Sequence, residues 1–247
     1  HNIFSHLTGF KIDKLKSKLE NNFDSTLSIG NDLRLTVDLK VQNIVRDELI
    51  KGLELYNAKS ALSIVMNVKN GEILSMVSLP DFDPNFPRTI QAFTENNLVT
   101  EARYEMGSTL KMFNAALAFE LKSSVIKKKF DISKGYQLTN KSTINDSHIR
   151  FDTINFDQAF IHSSNIASIK IIDEIGIEKQ KMLFKNIGLT DHPRINGLNV
   201  VSNKGPRIWN DTYSKSMSYG YGISLSPISL VSSFSALVNG GLSVRPV

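Results

Sequence analysis

The sequence has no cysteine among its 247 residues. This absence excludes disulfide scaffolds, thiolate zinc sites, iron–sulfur clusters and thiol nucleophiles. No apolar run reaches the roughly 18 residues of a membrane-spanning helix, and no signal peptide is recognisable. No phosphate-binding loop, dinucleotide fingerprint or histidine metal motif occurs. The first residue is histidine rather than methionine, so we expect an excised or processed piece whose anchor, if there is one, lies outside it.

The sequence also lacks a strong excess of positive or negative charge. The chain has 29 Lys and Arg residues against 24 Asp and Glu residues, for a net charge of +5. This balance allows weak attraction to anionic surfaces but is not a nucleic-acid-binding signature. Hydrophobic residues make up 41% of the chain, which supports a real core and excludes general disorder. The length fits one large domain or two small ones.

Hydrophobic periodicity and turn residues predict the elements in outline. The predictions are a strand at Leu33–Asp38, a helix at 39–57 capped by Asp38, a hairpin of 62–68 and 72–78 with a type I′ turn at Asn70-Gly71, a loop at 79–100, a buried helix at 108–121, short strand-like pieces within 130–157, helices at 164–175 and 178–187, a loop at 193–215 and a helix at 227–238. This order lacks regular βαβ alternation. It favours an α+β architecture in which helices pack on an antiparallel sheet.

The first candidate for chemistry is the S-x-x-K sequence of Ser108 and Lys111 at the start of the buried helix. Their spacing places both side chains on one helix face. A serine hydroxyl needs a base to become nucleophilic, and a lysine amine serves as that base only if burial lowers its pKa. The sequence contains a second copy, Ser124 with Lys127, which leads into a solvated lysine cluster. Taken alone, the motif is a weak signal and is much more typical of an ordinary helix than of a reactive pair.

Two further segments carry candidate site residues. Ser163-Ser164-Asn165 precedes a predicted helix, so it is typical of a helix N-cap. A hydroxyl and a carboxamide at this spacing can also relay a proton and hold a substrate amide. Tyr219-Gly220-Tyr221-Gly222 is typical of a turn, although its glycines also allow close backbone approach.

Together these segments resemble class B penicillin-binding proteins, most closely the septal, division-specific members. The resemblance rests on ordered segments that run from about residue 24 to the end. They are Asn70-Gly-Glu-Ile-Leu-Ser-Met-Val-Ser, Pro80-Asp-Phe-Asp-Pro-Asn, Tyr104-Glu-Met-Gly-Ser-Thr-Leu-Lys-Met-Phe, Ile161-His-Ser-Ser-Asn-Ile-Ala-Ser, Tyr219-Gly-Tyr-Gly-Ile-Ser-Leu-Ser-Pro and Asn239-Gly-Gly. The implied fold is that of β-lactamases and transpeptidases, with an antiparallel sheet flanked by helices and a mostly helical subdomain.

The resemblance implies a peptidoglycan D,D-transpeptidase that works without metal or cofactor and is acylated by β-lactams. In this interpretation Ser108 attacks the D-Ala–D-Ala carbonyl of a stem peptide and Lys111 is the general base. Ser163 passes a proton to the leaving D-Ala, and Asn165 positions the substrate amide. Ser164, Tyr219, Gly220 and Tyr221 are expected to contact the substrate.

The family's third element, K-T-G or K-S-G on a sheet strand, is absent from these 247 residues. We therefore expect the sheet to be incomplete at the C-terminus and this piece alone to be inactive. Two alternatives stay open. One is a non-catalytic scaffold or binding protein of the same fold, and the other is a β-lactamase or β-lactam sensor.

The resemblance also implies a domain division and a location. Residues 1–30 are expected to end an N-terminal pedestal or linker module, and residues 31–247 to form a C-terminally truncated transpeptidase domain. The whole protein is expected at the periplasmic face of the inner membrane, held by a single-pass anchor outside this chain. Its expected partners are peptidoglycan stem peptides, β-lactams and a glycosyltransferase of the division machinery, with no nucleic acid.

Overall fold

The computed structural model of the chain describes residues 2–12, 15–121, 124–146, 148 and 150–247. The helices in these ranges are, in chain order, α1 (Ser5–Thr8), α2 (Lys18–Asn22), α3 (Asp24–Ser28), α4 (Leu39–Tyr56), α5 (Ala92–Glu95), α6 (Lys111–Glu120), α7 (Phe156–Ile161), α8 (Asn165–Ile175), α9 (Ile177–Asn186), α10 (Asp211–Ser218) and α11 (Pro227–Val238). The strands are β1 (Lys11–Ile12), β2 (Leu15–Lys16), β3 (Ala61–Met66), β4 (Ile73–Leu79), β5 (Tyr104–Glu105), β6 (Lys129–Asp131), β7 (Tyr136–Thr139), β8 (Ser142–Ile144), β9 (Thr153–Asn155) and β10 (Ser224–Leu225).

These strands form small antiparallel sheets. The pairs are β1–β2, β3–β4, β5–β10, β6–β9 and β7–β8. The mixture of helices and antiparallel strands confirms the predicted α+β class. In the described ranges, no helix is both long enough and apolar enough to cross a membrane.

The chain divides into two compact units. The first comprises His1–Arg103, His192–Ser202 and Ser226–Val247, and the second comprises Tyr104–Asp191 and Asn203–Leu225.

In the first unit, α4 packs against the β3–β4 hairpin. Asp38 begins this helix as predicted, because its carboxylate accepts hydrogen bonds from the Lys40 and Val41 amides. Gln42, one turn into the helix, is buried and bonds to both the amide and the carbonyl of Met76 on β4. The carboxamide therefore satisfies backbone groups at the point where helix and strand meet.

Two local predictions in this unit are wrong. Asn70-Gly71 does not form a two-residue turn, because the Asn67 amide donates to the Glu72 carbonyl at 2.9 Å and closes a longer loop. Of the predicted turn pair, only Gly71 has a positive φ, whereas a type I′ turn needs two such residues. The described residues 33–38 form no strand. They lie beside β4, and the Asp38 amide donates a backbone hydrogen bond to the Leu74 carbonyl.

The described residues among the first 28 form short helices and strands. Leu7, Phe10 and Leu19 are buried, and Leu7 belongs to a core cluster of the first unit. Lys18 forms an ion pair with Glu101 at 2.5 Å. The predicted domain boundary at residue 30 stays a prediction.

The second unit is mainly helical and contains the serine segment and the S-x-N segment. α6 and α9 meet through an edge-to-face contact of Phe113 and Phe184, and both rings are fully buried. The prediction of a loop over residues 193–215 is wrong at its end, because α10 begins within that range. It begins at Asn210, whose side chain accepts from the Tyr213 amide. Small polar residues form most of its buried face, so it has no clear hydrophobic period.

Candidate active site

The serine segment forms a tight turn between β5 and α6. Gly107–Leu110 is a 3₁₀ turn, and the α-helix begins at Lys111 rather than at the predicted residue 108. Residues three apart eclipse one another in a 3₁₀ turn, so Ser108 and Lys111 lie on the same side. Ser108 is exposed, whereas Lys111 is only 3% exposed. The turn thus presents a hydroxyl to solvent and places a buried amine one turn behind it.

The Lys111 amine brings the two motif segments together. Its Nζ donates to the Ser163 carbonyl at 2.5 Å, to Ser163 Oγ at 2.9 Å and to Asn165 Oδ1 at 2.7 Å. An ammonium has three donors and no acceptor, so these three oxygens match the protonated lysine. In the described part of the chain, the Ser108 hydroxyl has no hydrogen-bond partner and is free to meet a ligand.

Burial changes the acidity of this amine. It lowers the pKa of Lys111 to about 8, and the nearby Asp146 carboxylate opposes that shift. The charged form loses its hydration in the buried position, which favours the neutral amine. This direction agrees with the expectation that burial lowers the pKa of Lys111. A lysine with such a pKa can act as a base near neutral pH.

Ser163 has an unusual backbone. Its φ is +53°, a left-handed conformation that is uncommon for a residue other than glycine. It lies between α7 and α8, and its amide donates to the Phe160 carbonyl. The conformation breaks the helical path and lets both the carbonyl and the hydroxyl of Ser163 contact the same lysine. Such outliers persist where the surroundings hold them in place.

Ser164 has no exposed surface, which is at odds with the predicted substrate contact. It is the N-cap of α8, and its Oγ accepts from the Ala167 amide at 2.9 Å. The same hydroxyl donates to Asp146 at 2.5 Å. The helix-cap interpretation is therefore correct for Ser164, while its neighbours Ser163 and Asn165 contact Lys111.

Asp146 is a site residue that the sequence did not reveal. Its carboxylate accepts from Ser164 Oγ, from the Asn165 amide at 2.7 Å and from the Ile166 amide at 3.4 Å. A negative group is favoured at a helix N-terminus, where amides lack partners. Asp146 lies 18 residues before Ser164, in a polar stretch with no recognisable pattern. No local signal could have linked it to the site.

The segment Tyr219–Gly222 contacts the serine turn through its backbone. The Gly107 amide donates to the Gly220 carbonyl at 3.2 Å. Tyr219 is 7% exposed and Tyr221 is 51% exposed, so only the second ring is open to a ligand. The predicted substrate contacts of this segment stay predictions.

The second S-x-x-K copy has a different setting. Ser124 and Lys127 lie in a short 3₁₀ turn with both residues exposed. The Lys127 amine therefore lies in solvent, whereas the Lys111 amine is buried. This contrast favours Ser108 and Lys111 as the reactive pair. No group of side chains that could hold a metal ion occurs among the described residues.

Comparison with known proteins shows the family. Residues 61–247 match the family model described as the penicillin-binding protein transpeptidase domain. The chain belongs to this family. It is 34% identical over 218 residues to a probable peptidoglycan D,D-transpeptidase FtsI of Caulobacter vibrioides, covering 88% of this chain and 37% of that protein. It is 29% identical over 231 residues to stage V sporulation protein D of Bacillus subtilis, and this match covers 88% of this chain and 34% of that protein.

Solved structures show the same fold. Penicillin-binding protein A from M. tuberculosis, in an imipenem acyl-enzyme complex, matches with a TM-score of 0.83 at 19% identity, covering 99% of this chain and 65% of that one. The transpeptidase domain of penicillin-binding protein 3 from Burkholderia pseudomallei matches with a TM-score of 0.70 at 27% identity. This match covers 84% of this chain and 58% of that one. The chain spans little more than a third of the two sequence relatives described above.

Proposed function

We propose that the protein is a serine-type peptidoglycan D,D-transpeptidase that cross-links stem peptides during septal cell-wall synthesis and is acylated by β-lactams. The observation that carries this proposal is the Lys111 amine. It is buried one turn from an exposed serine and is bonded to both Ser163 and Asn165. The names of the sequence relatives support the same activity.

In the acylation step, the neutral Lys111 amine takes the proton of Ser108 Oγ as that oxygen attacks the carbonyl carbon of the penultimate D-Ala. The bond from this carbon to the terminal D-Ala nitrogen then breaks. Lys111 returns the proton through the Ser163 hydroxyl to the leaving nitrogen, which departs as free D-Ala. The contact of Lys111 Nζ with Ser163 Oγ at 2.9 Å supplies this path. The product is an ester of Ser108.

In the transfer step, an amine of a neighbouring stem peptide attacks the ester carbon. A new amide bond forms, the Ser108 ester bond breaks, and the proton of the amine returns to Ser108 Oγ by way of Lys111. A β-lactam reacts by the first step alone, when Ser108 opens the ring amide and keeps the acyl group. Asn165 holds the lysine and is suited to accept a substrate N–H nearby.

The test of this proposal is release of D-Ala from a synthetic stem peptide ending in D-Ala–D-Ala, with an amine acceptor present and the full-length protein as catalyst. We expect Ser108→Ala to reduce release by at least about a thousandfold. Ser124→Ala removes the serine of the other S-x-x-K copy and is the matched control, with release unchanged. Wild-type protein that releases no D-Ala, or Ser108→Ala protein that releases it normally, would contradict the proposal.

The proposed setting follows the septal transpeptidase interpretation. The protein would work at the periplasmic face of the inner membrane, held by an anchor outside this chain, beside a glycosyltransferase of the division machinery. A β-lactamase function predicts fast turnover of the acyl-enzyme, so slow hydrolysis of nitrocefin separates the transpeptidase from a β-lactamase. A β-lactam sensor keeps its acyl group and forms no cross-link, so release of D-Ala with transfer to the amine acceptor separates the transpeptidase from a sensor. Absence of any covalent β-lactam adduct would favour a non-catalytic scaffold.

A further inference from the structure

The segment before and within the serine turn runs antiparallel to residues 219–225. β5 pairs with β10, with Tyr104 opposite Leu225 and Glu105 opposite Ser224. Beyond this short ladder, the Glu105 carboxylate accepts from the Gly222 amide at 2.8 Å. The pairing therefore continues from β5 toward the residues that form the turn.

The closest approach lies directly before Ser108. The Gly107 amide donates to the Gly220 carbonyl at 3.2 Å. Gly220 has a φ of +103°, and a Cβ placed on it would lie 1.8 Å from the Gly107 carbonyl oxygen. No side chain fits this gap, and other residues rarely adopt this φ. Gly220 thus lies directly against the backbone that carries Ser108.

A buried polar network holds Ser218, directly before the segment that runs from residue 219 to residue 225. Asn114, one turn after Lys111 on α6, donates to the Ser218 carbonyl at 3.2 Å. Gln180 on α9 donates to Asn114 Oδ1 at 3.1 Å and accepts from Ser214 Oγ at 2.5 Å. All four residues of this network are almost fully buried. Loss of one partner would leave unsatisfied polar groups, so α6 and the end of α10 are fixed together.

The geometry points to residues 218–222 as a backbone support that fixes Ser108 relative to Lys111, with Gly220 as its central positioning residue. This inference rests on the proposed function, and it assigns Gly220 a positioning role that is distinct from the substrate contact predicted above. The support has contacts on both sides of the reacting pair. Gly220 holds the turn before Ser108, and Asn114 holds the helix after Lys111.

The test compares Gly220→Ala with Gly176→Ala in the full-length protein. Gly176 has a similar φ of +93°, but a Cβ there meets nothing within 4 Å. The control therefore carries the same backbone strain without the close approach. Stopped-flow acylation by a fluorescent penicillin separates the acylation rate constant from the dissociation constant of the non-covalent complex.

We expect Gly220→Ala to lower the acylation rate constant at least about tenfold, because misplacing reacting atoms is costly, while the dissociation constant changes less than twofold. Gly176→Ala should leave both unchanged. Normal acylation by Gly220→Ala, or a loss confined to non-covalent affinity, overturns the inference. The second result would favour the substrate-contact interpretation.

A readout independent of activity separates this inference from the proposed function. Hydrogen exchange of the peptide covering 104–110 should accelerate in Gly220→Ala but not in Gly176→Ala, because the Gly107 amide loses its acceptor. Equal exchange in both variants overturns the support even if the wild type is acylated. Wild-type protein that resists acylation contradicts the proposed function instead.

If Gly220→Ala does not fold, Glu105 provides a milder perturbation on the exposed side of the support. Glu105→Ala removes the acceptor of the Gly222 amide and should slow acylation about threefold, whereas Glu105→Gln keeps an acceptor oxygen and should restore the rate. Wild-type rates for Glu105→Ala, or equal loss in both variants, overturn the inference.

Discussion

The pH dependence of acylation is the prediction that depends most directly on the buried lysine. Lys111 must be neutral to take the proton of Ser108, and burial lowers its pKa to about 8. About a tenth of the protein then carries the neutral amine at pH 7, half at pH 8 and about nine-tenths at pH 9. Acylation should therefore accelerate about fivefold from pH 7 to pH 8 and less than twofold from pH 8 to pH 9.

An unperturbed lysine gives a different curve. With a pKa near 10.4, the neutral fraction rises about tenfold for each pH unit across the whole range. The assay is the second-order rate constant of acylation by a fluorescent penicillin, measured at constant ionic strength and corrected for spontaneous β-lactam hydrolysis. Circular dichroism at each pH checks that the fold persists. A tenfold rise for each unit up to pH 9, or a flat profile, would refute the reasoning about Lys111.

Three further variants test individual contacts. Asp146→Asn removes the negative charge that raises the pKa of Lys111, so the midpoint of the acylation profile should move to lower pH; an unmoved midpoint would exclude this electrostatic effect. Ser163→Ala removes the hydroxyl in contact with Lys111 Nζ and should slow acylation about a hundredfold or more, while a near-normal rate would exclude Ser163 from proton transfer. Gln42→Ala leaves the Met76 amide and carbonyl without their buried partner and should lower the free energy of unfolding by about 2–3 kcal/mol in urea denaturation. Unchanged stability would mean that water replaces the carboxamide.

Regular elements with strong periodicity were predictable from the sequence. The apolar spacing after Asp38 marks α4, and the helix expected at 227–238 is α11 with Pro227 at its first turn. Both depend on local patterns, since capping and amphipathic spacing lie within one element. The class of fold followed from their order.

Features that depend on distant residues were not predictable in this way. The Asn70-Gly71 turn is replaced by a longer loop, and the Gly71 carbonyl accepts from the amide of Val247 far along the chain. A Cβ on Gly71 would lie 2.0 Å from the Arg245 carbonyl oxygen, so this glycine accommodates a close approach rather than a hairpin turn. Tertiary contacts here override local turn preference.

In the candidate site, too, some residues were predictable from local motifs and others depend on contacts between distant residues. Motif spacing and the family resemblance predicted Ser108, Lys111, Ser163 and Asn165 as site residues, and the structure brings the last three into contact. The substrate contact predicted for Ser164 could not be judged from spacing, because it depends on burial: Ser164 is enclosed and its hydroxyl caps α8. Asp146 reaches the site from a polar stretch through hydrogen bonds alone, which no spacing rule encodes.

The most direct test of the central claim is the position of the covalent β-lactam adduct. Full-length protein is treated with penicillin, digested and mapped by mass spectrometry, with Ser108→Ala and Ser124→Ala treated in parallel. We expect one added acyl group on the peptide that contains Ser108, present in Ser124→Ala and absent in Ser108→Ala. An adduct on another residue, or undiminished labelling of Ser108→Ala, would contradict it.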